Sequence, residues 1–425
     1  MARAMNDSGI EWIGEIPEYW TISRYKAICK IESGYPFDSS LFSNFEGFPI
    51  IRIRDITSGI IETYYQGEFS ENYVVTKGDL LVGMDGDFNI RWWDNVDALL
   101  NQRCCRIIDK PGLHRRFLYY TLPFLLDIIH KLTYSTTVKH LSTNDILNSY
   151  LVYPSEDAQN SIVNYLDHKC SLIDSIIEKQ KVVIEKLRLY KRSIITEAVT
   201  KGLNPNVKMK PSGIESIGDI PMNWDVISLG YEVYVRARLG WKGLKADEYV
   251  DDGYVFLATP NIKDNNIDFN NVNYISKQRY EESPEIMLTE GDVLLTKDGS
   301  TLGTVNVVRY LPREATVNSS IAVLTPSSRI NGIYLYYLIK SDYIQTVIQT
   351  KKDGMGVPHL FQKDIKKFTI LVPPILEQQS IADYLDRKCN KIDDIISIKQ
   401  TLIDKLSKYK KSLIYECVTG KREVV

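Results

Sequence analysis

The chain has 425 residues, of which 44% are hydrophobic and 25% charged, a balance typical of soluble globular proteins with two or three domains. Its longest apolar stretches are too short for a membrane span, and its first residues lack the apolar core of a signal peptide. The net charge of −2 excludes a uniformly basic nucleic-acid-binding protein. Any DNA-binding surface must therefore depend on the local placement of Lys and Arg.

The six cysteines and five histidines are scattered along the chain, and no two cysteines form a CxxC pair. Because zinc sites draw on closely spaced Cys and His ligands, this pattern argues against such a site. We expect no metal, no cofactor, and a reduced, cytoplasmic setting.

An internal repeat runs through the chain as blocks that recur in the same order. Four of these blocks, each with its second copy, are GIEWIGEIPEYW (9–20) with GIESIGDIPMNW (213–224), GDLLVGMDG (78–86) with GDVLLTKDG (291–299), VKHLSTNDI (138–146) with VPHLFQKDI (357–365), and YLDHKC (165–170) with YLDRKC (384–389). The offset between copies grows from 204 to 213 to 219 and then stays constant. Insertions therefore lie within the globular parts, and the last part of each half keeps a fixed length.

The globular part of the first half, residues 20–155, has short apolar runs broken by Gly, Asp and Asn. The runs FPIIRI, NYVVTKGDLLVGM, CCRIID and SYLVYP predict strands, and RRFLYYTLPFLLDIIHKL predicts a helix. A different pattern follows, because residues 159–200 contain no Pro and no Gly and are dominated by Glu, Lys, Ile and Leu. One long helix is predicted there.

Each half carries an apolar heptad seam along its long helix. In the first helix the seam residues are Leu166, Cys170, Ile173, Ile177, Ile184, Leu187 and Ile194. In the second they are Leu385, Cys389, Ile392, Ile396, Ile403, Leu406 and Leu413. Polar residues interrupt both seams at the same steps, at Gln180 and Lys399 and again at Lys191 and Lys410.

These matched interruptions favour pairing of the two helices over two unrelated amphipathic helices that each pack on their own domain. A short linker with two prolines, residues 201–212, makes the second globular part begin near the far end of the first helix. An antiparallel pair with one globular domain at each end is the simplest arrangement.

At this point the residues resemble the specificity subunits of type I restriction-modification systems. The resemblance lies in the opening Gly-Ile-Glu-Trp block with its second copy, in the Gly-Asp-Leu-Leu and Gly-Asp-Val-Leu turns, and in the stretch from His359 through Asp364 and Pro373 to Gln378. The resemblance covers nearly the whole chain, and its motifs occur twice in the expected order, once in each half. The first copy departs where Ser155 and Ala158 stand for Pro374 and Glu377.

The resemblance implies an α+β fold of two pseudo-symmetric, mixed α/β target-recognition domains joined by a pair of long antiparallel coiled-coil helices. The implied parts are target-recognition domain 1 (1–155), a first spacer helix (156–203), target-recognition domain 2 (204–374) and a second spacer helix (375–425). Each domain is expected to read one half of a split site on double-stranded DNA. Two methyltransferase subunits that methylate adenine are the implied partners, and a motor nuclease subunit is an optional third.

The motifs of an enzyme are missing from the sequence, so the chain is expected to be non-catalytic. An adenine methyltransferase needs an Asn/Asp-Pro-Pro-aromatic loop, and Asn204-Pro205-Asn206 lacks the second proline. There is no GxxxxGK[ST] loop for an ATP motor. Asp174, Glu178 and Lys179 are close in sequence but lie in the predicted helix, where a solvated face explains them better than a nuclease centre.

Candidate DNA contacts are loop residues of the types that reach base edges and phosphates, at places where the two halves differ. In the first half these are Arg52, Arg54, Arg91, Trp92, Asn101, Gln102, Arg103, Ser135, Thr136, Thr137 and Lys139. In the second half they are Thr259, Asn261, Lys263, Lys297, Ser300, Thr301, Asn318, Ser319, Ser320, Lys351, Lys352 and Met355. The recurrent His140 and His359 are interpreted as packed structural residues, and Trp20 and Trp224 as core anchors.

Two other readings stay open. One is an assembly scaffold, a silent paralogue that binds the methyltransferase but no DNA target. The other is an enzyme with its own methyltransferase or nuclease centre, against which the missing motifs speak.

Overall fold

The structure is a computed structural model that describes residues 3–133, 139–238, 248–350 and 359–424. The chain forms two compact units. Unit 1 consists of Met1–Gln180 and Thr401–Val425, and unit 2 of Lys181–Gln400. Each unit therefore contains one globular copy of the repeat together with a part of each long helix.

The elements of unit 1 follow the apolar runs of the sequence. Its strands are β1 (Met5–Asp7), β2 (Glu15–Pro17), β3 (Thr21–Arg24), β4 (Cys29–Ser33), β5 (Phe42–Ser43), β6 (Phe48–Ile51), β7 (Tyr64–Tyr65), β8 (Val74–Val75), β9 (Leu80–Gly83), β10 (Ile90–Trp92), β11 (Ala98–Leu100), β12 (Cys104–Asp109) and β13 (Tyr150–Tyr153). Its helices are α1 (Tyr25–Ile28), α2 (Ile53–Ser58), α3 (Arg115–Leu132), α4 (Thr143–Asn148) and the first part of α5 (Glu156–Lys201).

Two sheets form the body of unit 1. One is antiparallel, in the order β10-β9-β12-β4, and the other has the order β5-β7-β6-β11-β8. In the second sheet β6 and β11 run parallel, with Ile50 opposite Leu99. Helix α4 begins with a capping box, in which the Ser142 hydroxyl accepts from the Asn144 amide and the Asp145 carboxylate accepts from the Ser142 amide.

Unit 2 repeats this plan. Its strands are β14 (Met209–Pro211), β15 (Asp219–Pro221), β16 (Asp225–Ser228), β17 (Val233–Arg236), β18 (Tyr249–Val250), β19 (Tyr254–Leu257), β20 (Asn273–Ile275), β21 (Val293–Thr296), β22 (Val305–Val307), β23 (Ala315–Val317), β24 (Ile321–Pro326) and β25 (Thr369–Val372). Its helices are the second part of α5, then α6 (Lys277–Glu281), α7 (Gly332–Lys340), α8 (Asp342–Thr350), α9 (Gln362–Ile365) and the first part of α10 (Ile375–Val418).

The sheets of unit 2 correspond to those of unit 1. The antiparallel sheet has the order β17-β24-β21-β22, and the second sheet has the order β18-β20-β19-β23. Strands β19 and β23 run parallel, as β6 and β11 do in unit 1. The single helix α3 of unit 1, which contains Pro123, is replaced in unit 2 by α7 and α8 with Ser341 between them. The predicted strands and the predicted helix over RRFLYYTLPFLLDIIHKL are confirmed.

Both long helices are continuous, with 46 residues in α5 and 44 in α10. Helix α5 starts at Glu156, the first residue of the range 156–203 expected for the first spacer helix, and its acidic residues Glu156 and Asp157 stabilise the first turn. At 1.5 Å per residue it spans about 70 Å.

In each unit the two helices pair antiparallel. In unit 1, Leu166, Cys170 and Ile173 of α5 share one apolar core with Leu413 and Cys417 of α10. In unit 2, Ile195 and Val199 of α5 share a core with Ile381 and Leu385 of α10. The predicted fold class, two mixed α/β domains joined by a pair of long antiparallel helices, is confirmed.

The predicted seam residues lie on the inner faces of these helices. Ten of them are buried, and Ile177, Leu187, Ile396 and Leu406 are half-buried. Trp20 and Trp224 are core residues of their units, with exposed fractions of 8% and 0%. Across the ranges that the structure describes, no helix combines the length and apolar character needed to cross a membrane.

Candidate nucleic-acid interface

In unit 1 the parallel strands β6 and β11 end at the same edge of their sheet. The residues that follow them, Arg52 and Asn101, are therefore neighbours, and the Asn101 amide donates to the carbonyl of Ile51 at 3.2 Å. The next residue, Gln102, donates its amide to the Tyr35 carbonyl at 3.0 Å. Polar side chains after two different strands are thus brought together on one side of the unit.

Two further segments join this edge. The amide of Met84, directly after β9, donates to the Arg103 carbonyl at 2.9 Å. The Met84 carbonyl accepts from the Leu141 amide at 2.7 Å, and the Gly86 amide donates to the Lys139 carbonyl at 3.0 Å. We call the four segments, residues 52–54, 84–86, 101–103 and 139–141, the first loop cluster.

Unit 2 builds the same arrangement. After the parallel strands β19 and β23, the Asn318 amide donates to the Leu257 carbonyl at 2.8 Å. Lys297, after β21, donates its amide to the Ser320 carbonyl, and its own carbonyl accepts from the Leu360 amide, both at 2.8 Å. We call residues 258–261, 297–301, 318–320 and 359–360 the second loop cluster.

An aspartate and a histidine pair in both clusters. The Nδ1 atom of His140 lies 2.7 Å from Oδ1 of Asp85, and His359 makes the same contact with Asp298. Isolated β-bridges join the backbones of the same residues. The expected packing is not found for His140, whose side chain is 54% exposed, whereas His359 is half-buried, with 35% of its side chain exposed. Each lies on the rim of a loop cluster and is held by a carboxylate.

Fourteen of the 23 predicted DNA-contacting residues lie in these clusters. The first loop cluster contains Arg52, Arg54, Asn101, Gln102, Arg103 and Lys139. The second contains Thr259, Asn261, Lys297, Ser300, Thr301, Asn318, Ser319 and Ser320. Ser135, Thr136, Thr137, Lys351, Lys352 and Met355 lie outside the described residues.

Some of the predicted residues have partners within their own unit. Arg91 lies outside the first loop cluster, and its guanidinium donates to the carbonyls of Ile56 and Thr57 at 3.0 and 3.3 Å, at the C-terminal end of α2. The guanidinium of Arg116 stacks 4.6 Å from the centre of the Trp92 ring. Both side chains therefore have contacts within unit 1.

Three predicted residues of unit 2 are held in a similar way. The Asn261 side chain is buried, and its amide nitrogen donates to the carbonyls of Asp268 and Asn271. The ammonium of Lys263 lies 2.7 Å from Asp268. The side chain of Lys297 is 11% exposed, and its ammonium lies 3.6 Å from Asp298.

Sequence reasoning missed the pairing of Asp85 with His140 and of Asp298 with His359. The signal was present, because both members of each pair belong to blocks that recur. Their contact spans 55 and 61 residues, so only the fold brings them together.

The Gly-Asp turns that recur before β9 and β21 are internal supports. Asp79 accepts from the Thr76 amide at 2.9 Å and pairs with Arg106 at 3.3 Å. Asp292 accepts from the Thr289 amide at 2.8 Å and pairs with Arg236 at 2.7 Å. Both carboxylates are buried, so each closes its own turn and fixes an arginine of the same sheet.

A buried glutamine ties each long helix to its globular part. Oε1 of Gln378 accepts from the Asn331 amide at 2.9 Å, and Nε2 donates to the carbonyls of Arg329 and Pro373. Gln159 makes the corresponding three bonds in unit 1. Because both glutamines are fully buried, the start of each helix is fixed relative to the sheets beside it.

A cavity of about 620 Å³ in unit 1 lies against α3 and the long helices, and no residue of the first loop cluster lines it. Its carboxylates have partners: Asp167 accepts from Tyr120 at 2.5 Å and Arg116 at 3.0 Å, and Asp174 pairs with Lys410. Burial, together with the bond to Asp167, raises the pKa of the Tyr120 phenol. These groups stabilise the packing of α3 on the long helices.

Comparisons with known proteins agree with this architecture. Residues 17–186 and 240–408 match the family described as the type I restriction modification DNA specificity domain. The chain is 28% identical over 428 residues to the type I restriction enzyme EcoBI specificity subunit of Escherichia coli, covering 99% of this chain and 90% of that protein. It is 23% identical to the MjaVIII specificity subunit of Methanocaldococcus jannaschii, covering 96% of this chain and 94% of the relative.

Solved structures show the same fold at lower identity. A chain from a structure of a type I R-M system superposes with a TM-score of 0.71 at 16% identity, covering 96% of this chain and 99% of the other. The HsdS subunit of Thermoanaerobacter tengcongensis gives a TM-score of 0.50 at 15% identity, covering 98% of this chain and all of the other.

Two DNA specificity domains joined by long helices define a class, the DNA sequence-specificity subunits, which act with methyltransferase and restriction subunits on DNA. The chain belongs to the type I restriction modification DNA specificity family, which the two matched regions represent over most of its length. It is a specificity subunit of a type I restriction-modification complex, and its two domains fit a DNA site that is read in two parts.

Proposed function

We propose that this chain reads the two halves of its DNA site with the first and second loop clusters. The observation that carries the proposal is that four chain segments converge at the ends of parallel strands in each unit. Rigid strands with exposed polar loops at their ends provide a fixed frame and variable contacts, as a base-reading surface requires.

The two clusters differ in chemistry, which supports unlike half-sites. The first presents Arg52, Gln102 and Arg103, all exposed and all suited to base edges. The second presents Ser300, Ser319 and the half-exposed Ser320, whose hydroxyls suit phosphates or base edges. The proposal also includes six residues that only the sequence supports: Ser135, Thr136, Thr137, Lys351, Lys352 and Met355.

The proposed division of labour follows the repeat. Residues 1–155 and 204–374 recognise DNA, and residues 156–203 and 375–425 act as spacers. Because the chain is duplicated, we expect two equivalent binding sites, one for each of two methyltransferase subunits. A motor nuclease subunit is an optional further partner.

The chain itself is proposed to do no chemistry. Several of its recurring carboxylates are engaged in internal bonds, as in the pairs Asp79–Arg106, Asp292–Arg236 and Asp386–Arg309. A nuclease or acid–base centre would need such groups free to hold metal or a reacting proton.

The decisive experiment maps methylated adenines across the genome of the source organism with and without this gene, by single-molecule sequencing. We expect one split motif to lose its methylation when the gene is deleted. If every motif keeps its methylation, the chain does not direct methylation in that organism and the scaffold reading gains support.

A second measurement tests direct contact with DNA. Because phosphate contacts release counterions, binding of the assembled complex to DNA that carries the motif should weaken steeply as salt is raised from about 50 to 200 mM. A flat response to salt would contradict recognition by this chain's polar loops.

A further inference from the structure

The backbone that carries Arg103 is fixed from several sides. Residues 101–104 form a tight turn, in which the Cys104 amide donates to the Asn101 carbonyl at 2.9 Å. The Arg103 carbonyl accepts from Met84, and the Gln102 amide donates to Tyr35. The base of the Arg103 side chain therefore has one position relative to both sheets of unit 1.

The guanidinium of Arg103 lies next to the carboxylate of Asp85. Its Nε lies 3.5 Å from Oδ2 of Asp85, and the other oxygen of Asp85 lies 2.7 Å from His140. The Asp85 side chain is 22% exposed, whereas that of Arg103 is 57% exposed. An arginine held through Nε keeps its two terminal amino groups available for a second ligand.

Those two amino groups match one feature of DNA. They donate in a planar fork, and O6 and N7 of guanine in the major groove accept such a fork. A carboxylate that restricts the guanidinium beforehand lowers the entropy lost on binding. Lysine cannot reproduce this contact, because its ammonium is a point charge without a fork.

The second loop cluster lacks this arrangement although it keeps the aspartate and the histidine. Ser320 stands at the position of Arg103, since its carbonyl accepts the same backbone bond from the residue after the strand. The carboxylate of Asp298 is faced by Lys297 instead, and that side chain is 11% exposed. The exposed guanidinium is thus a feature of the first cluster alone among these two equivalent positions.

We propose that Arg103 reads a guanine in one half of the DNA site, and that Asp85 and His140 are the residues that position it. This inference rests on the proposed function, because it assigns one base contact to the first loop cluster. It predicts that one half of the motif contains a guanine whose recognition depends on Arg103.

The test places R103A, R103K and D85N in the chromosomal gene and maps methylated adenines in each strain. For R103A we expect any base to be accepted in place of one guanine, with discrimination reduced on the order of tenfold to a hundredfold. R103K should broaden the same position, because the charge remains but the fork is lost. D85N should broaden it partially, whereas a purely structural role of Asp85 would lower methylation at all sites equally.

The matched control is R24A, which removes an exposed arginine on β3, outside the loop cluster. It should leave the motif unchanged. The proposal is overturned if R103A keeps the guanine, if both halves of the motif change, or if R103K behaves as wild type, since a phosphate contact would accept lysine. It is also overturned if R52A, and not R103A, broadens the position.

A loss of all methylation in both Arg103 variants is resolved by a second measurement. The purified variant complex is offered a pool of randomised DNA duplexes, and the bound sequences are read. Enrichment of sequences without the guanine supports the proposal, and continued selection of the guanine overturns it. Failure of the proposed function is distinguishable, because deletion of the gene would then leave every motif methylated.

Discussion

On helix α10, Lys410 places its ammonium 2.7 and 2.6 Å from the two carboxylate oxygens of Asp174 on helix α5. Lys191 and Asp393 make the same bidentate contact in unit 2, again at 2.7 and 2.6 Å. Each residue of one pair lies 219 positions from its equivalent in the other, which is the offset of the repeat. The polar interruptions at Lys191 and Lys410 are therefore ion pairs between the helices.

We expect the two copies of this ion pair to contribute differently to the free energy of unfolding. Lys191 and Asp393 are 13% and 26% exposed, against 28% and 56% for Lys410 and Asp174. K191A leaves a half-buried carboxylate without its partner and should lower the free energy of unfolding by about 1–3 kcal/mol. K410A should cost only about 0.2–1 kcal/mol, because water screens the exposed pair.

Urea unfolding of the two variants and the wild type checks this difference. The exchange K191D/D393K keeps the pair with its charges reversed and should recover a part of the loss from K191A. Equal effects of K191A and K410A would contradict the argument from burial.

We expect a local loss of stability when Gln378, the buried glutamine at the start of α10, is replaced. Q378A removes three hydrogen bonds and leaves the Asn331 amide without its acceptor, at a cost of about 1–3 kcal/mol. Leu376, two residues earlier on α10, is 80% exposed, so L376A should stay within about 0.5 kcal/mol of wild type. Hydrogen exchange of α7 reports the effect, and similar protection in both variants would refute it.

Gly34 packs closely against the backbone of the first loop cluster. A methyl group added there would overlap the backbone oxygens of Leu100 and Asn101, so G34A should shift the turn that carries Arg103. We expect a loss of about 1–3 kcal/mol of stability, as for other overpacked sites. We also expect weaker methylation that depends on the same half-site as Arg103.

Thermal unfolding and the methylation map measure the two effects of G34A, and S33A is the control, since Ser33 is exposed next to it. If G34A methylates its full motif at the wild-type level, the position of the turn does not matter for recognition.

We expect the cysteines of the folded protein to react slowly with alkylating reagents. All six are buried, and burial raises the pKa of the Cys29 thiol to about 11 and that of the Cys417 thiol to about 12. The thiolate is the reacting form, so at pH 8 the folded protein should take up iodoacetamide far more slowly than the protein unfolded in urea. Mass spectrometry of each cysteine reads the result, and rapid labelling of Cys417 in the folded protein would contradict it.

The repeat, the two long helices and their pairing were predictable from the sequence. A heptad seam is a local pattern, and a constant offset of 219 aligns Leu166 with Leu385 and Lys191 with Lys410 without any knowledge of the fold. The short strands were also predictable, because alternating apolar runs between turn residues carry their own signal.

The sequence does not predict which polar residues lie together, because this depends on how the strands pair. Arg91 and Arg103 are similar in sequence context, but one caps the carbonyl end of α2 and the other lies exposed above Asp85. The reason is that parallel pairing of β6 with β11 sets the neighbours of each loop, and strand pairing is a non-local choice that no short stretch of sequence encodes. The contact between His140 and Asp85 is non-local as well, since 55 residues separate the two.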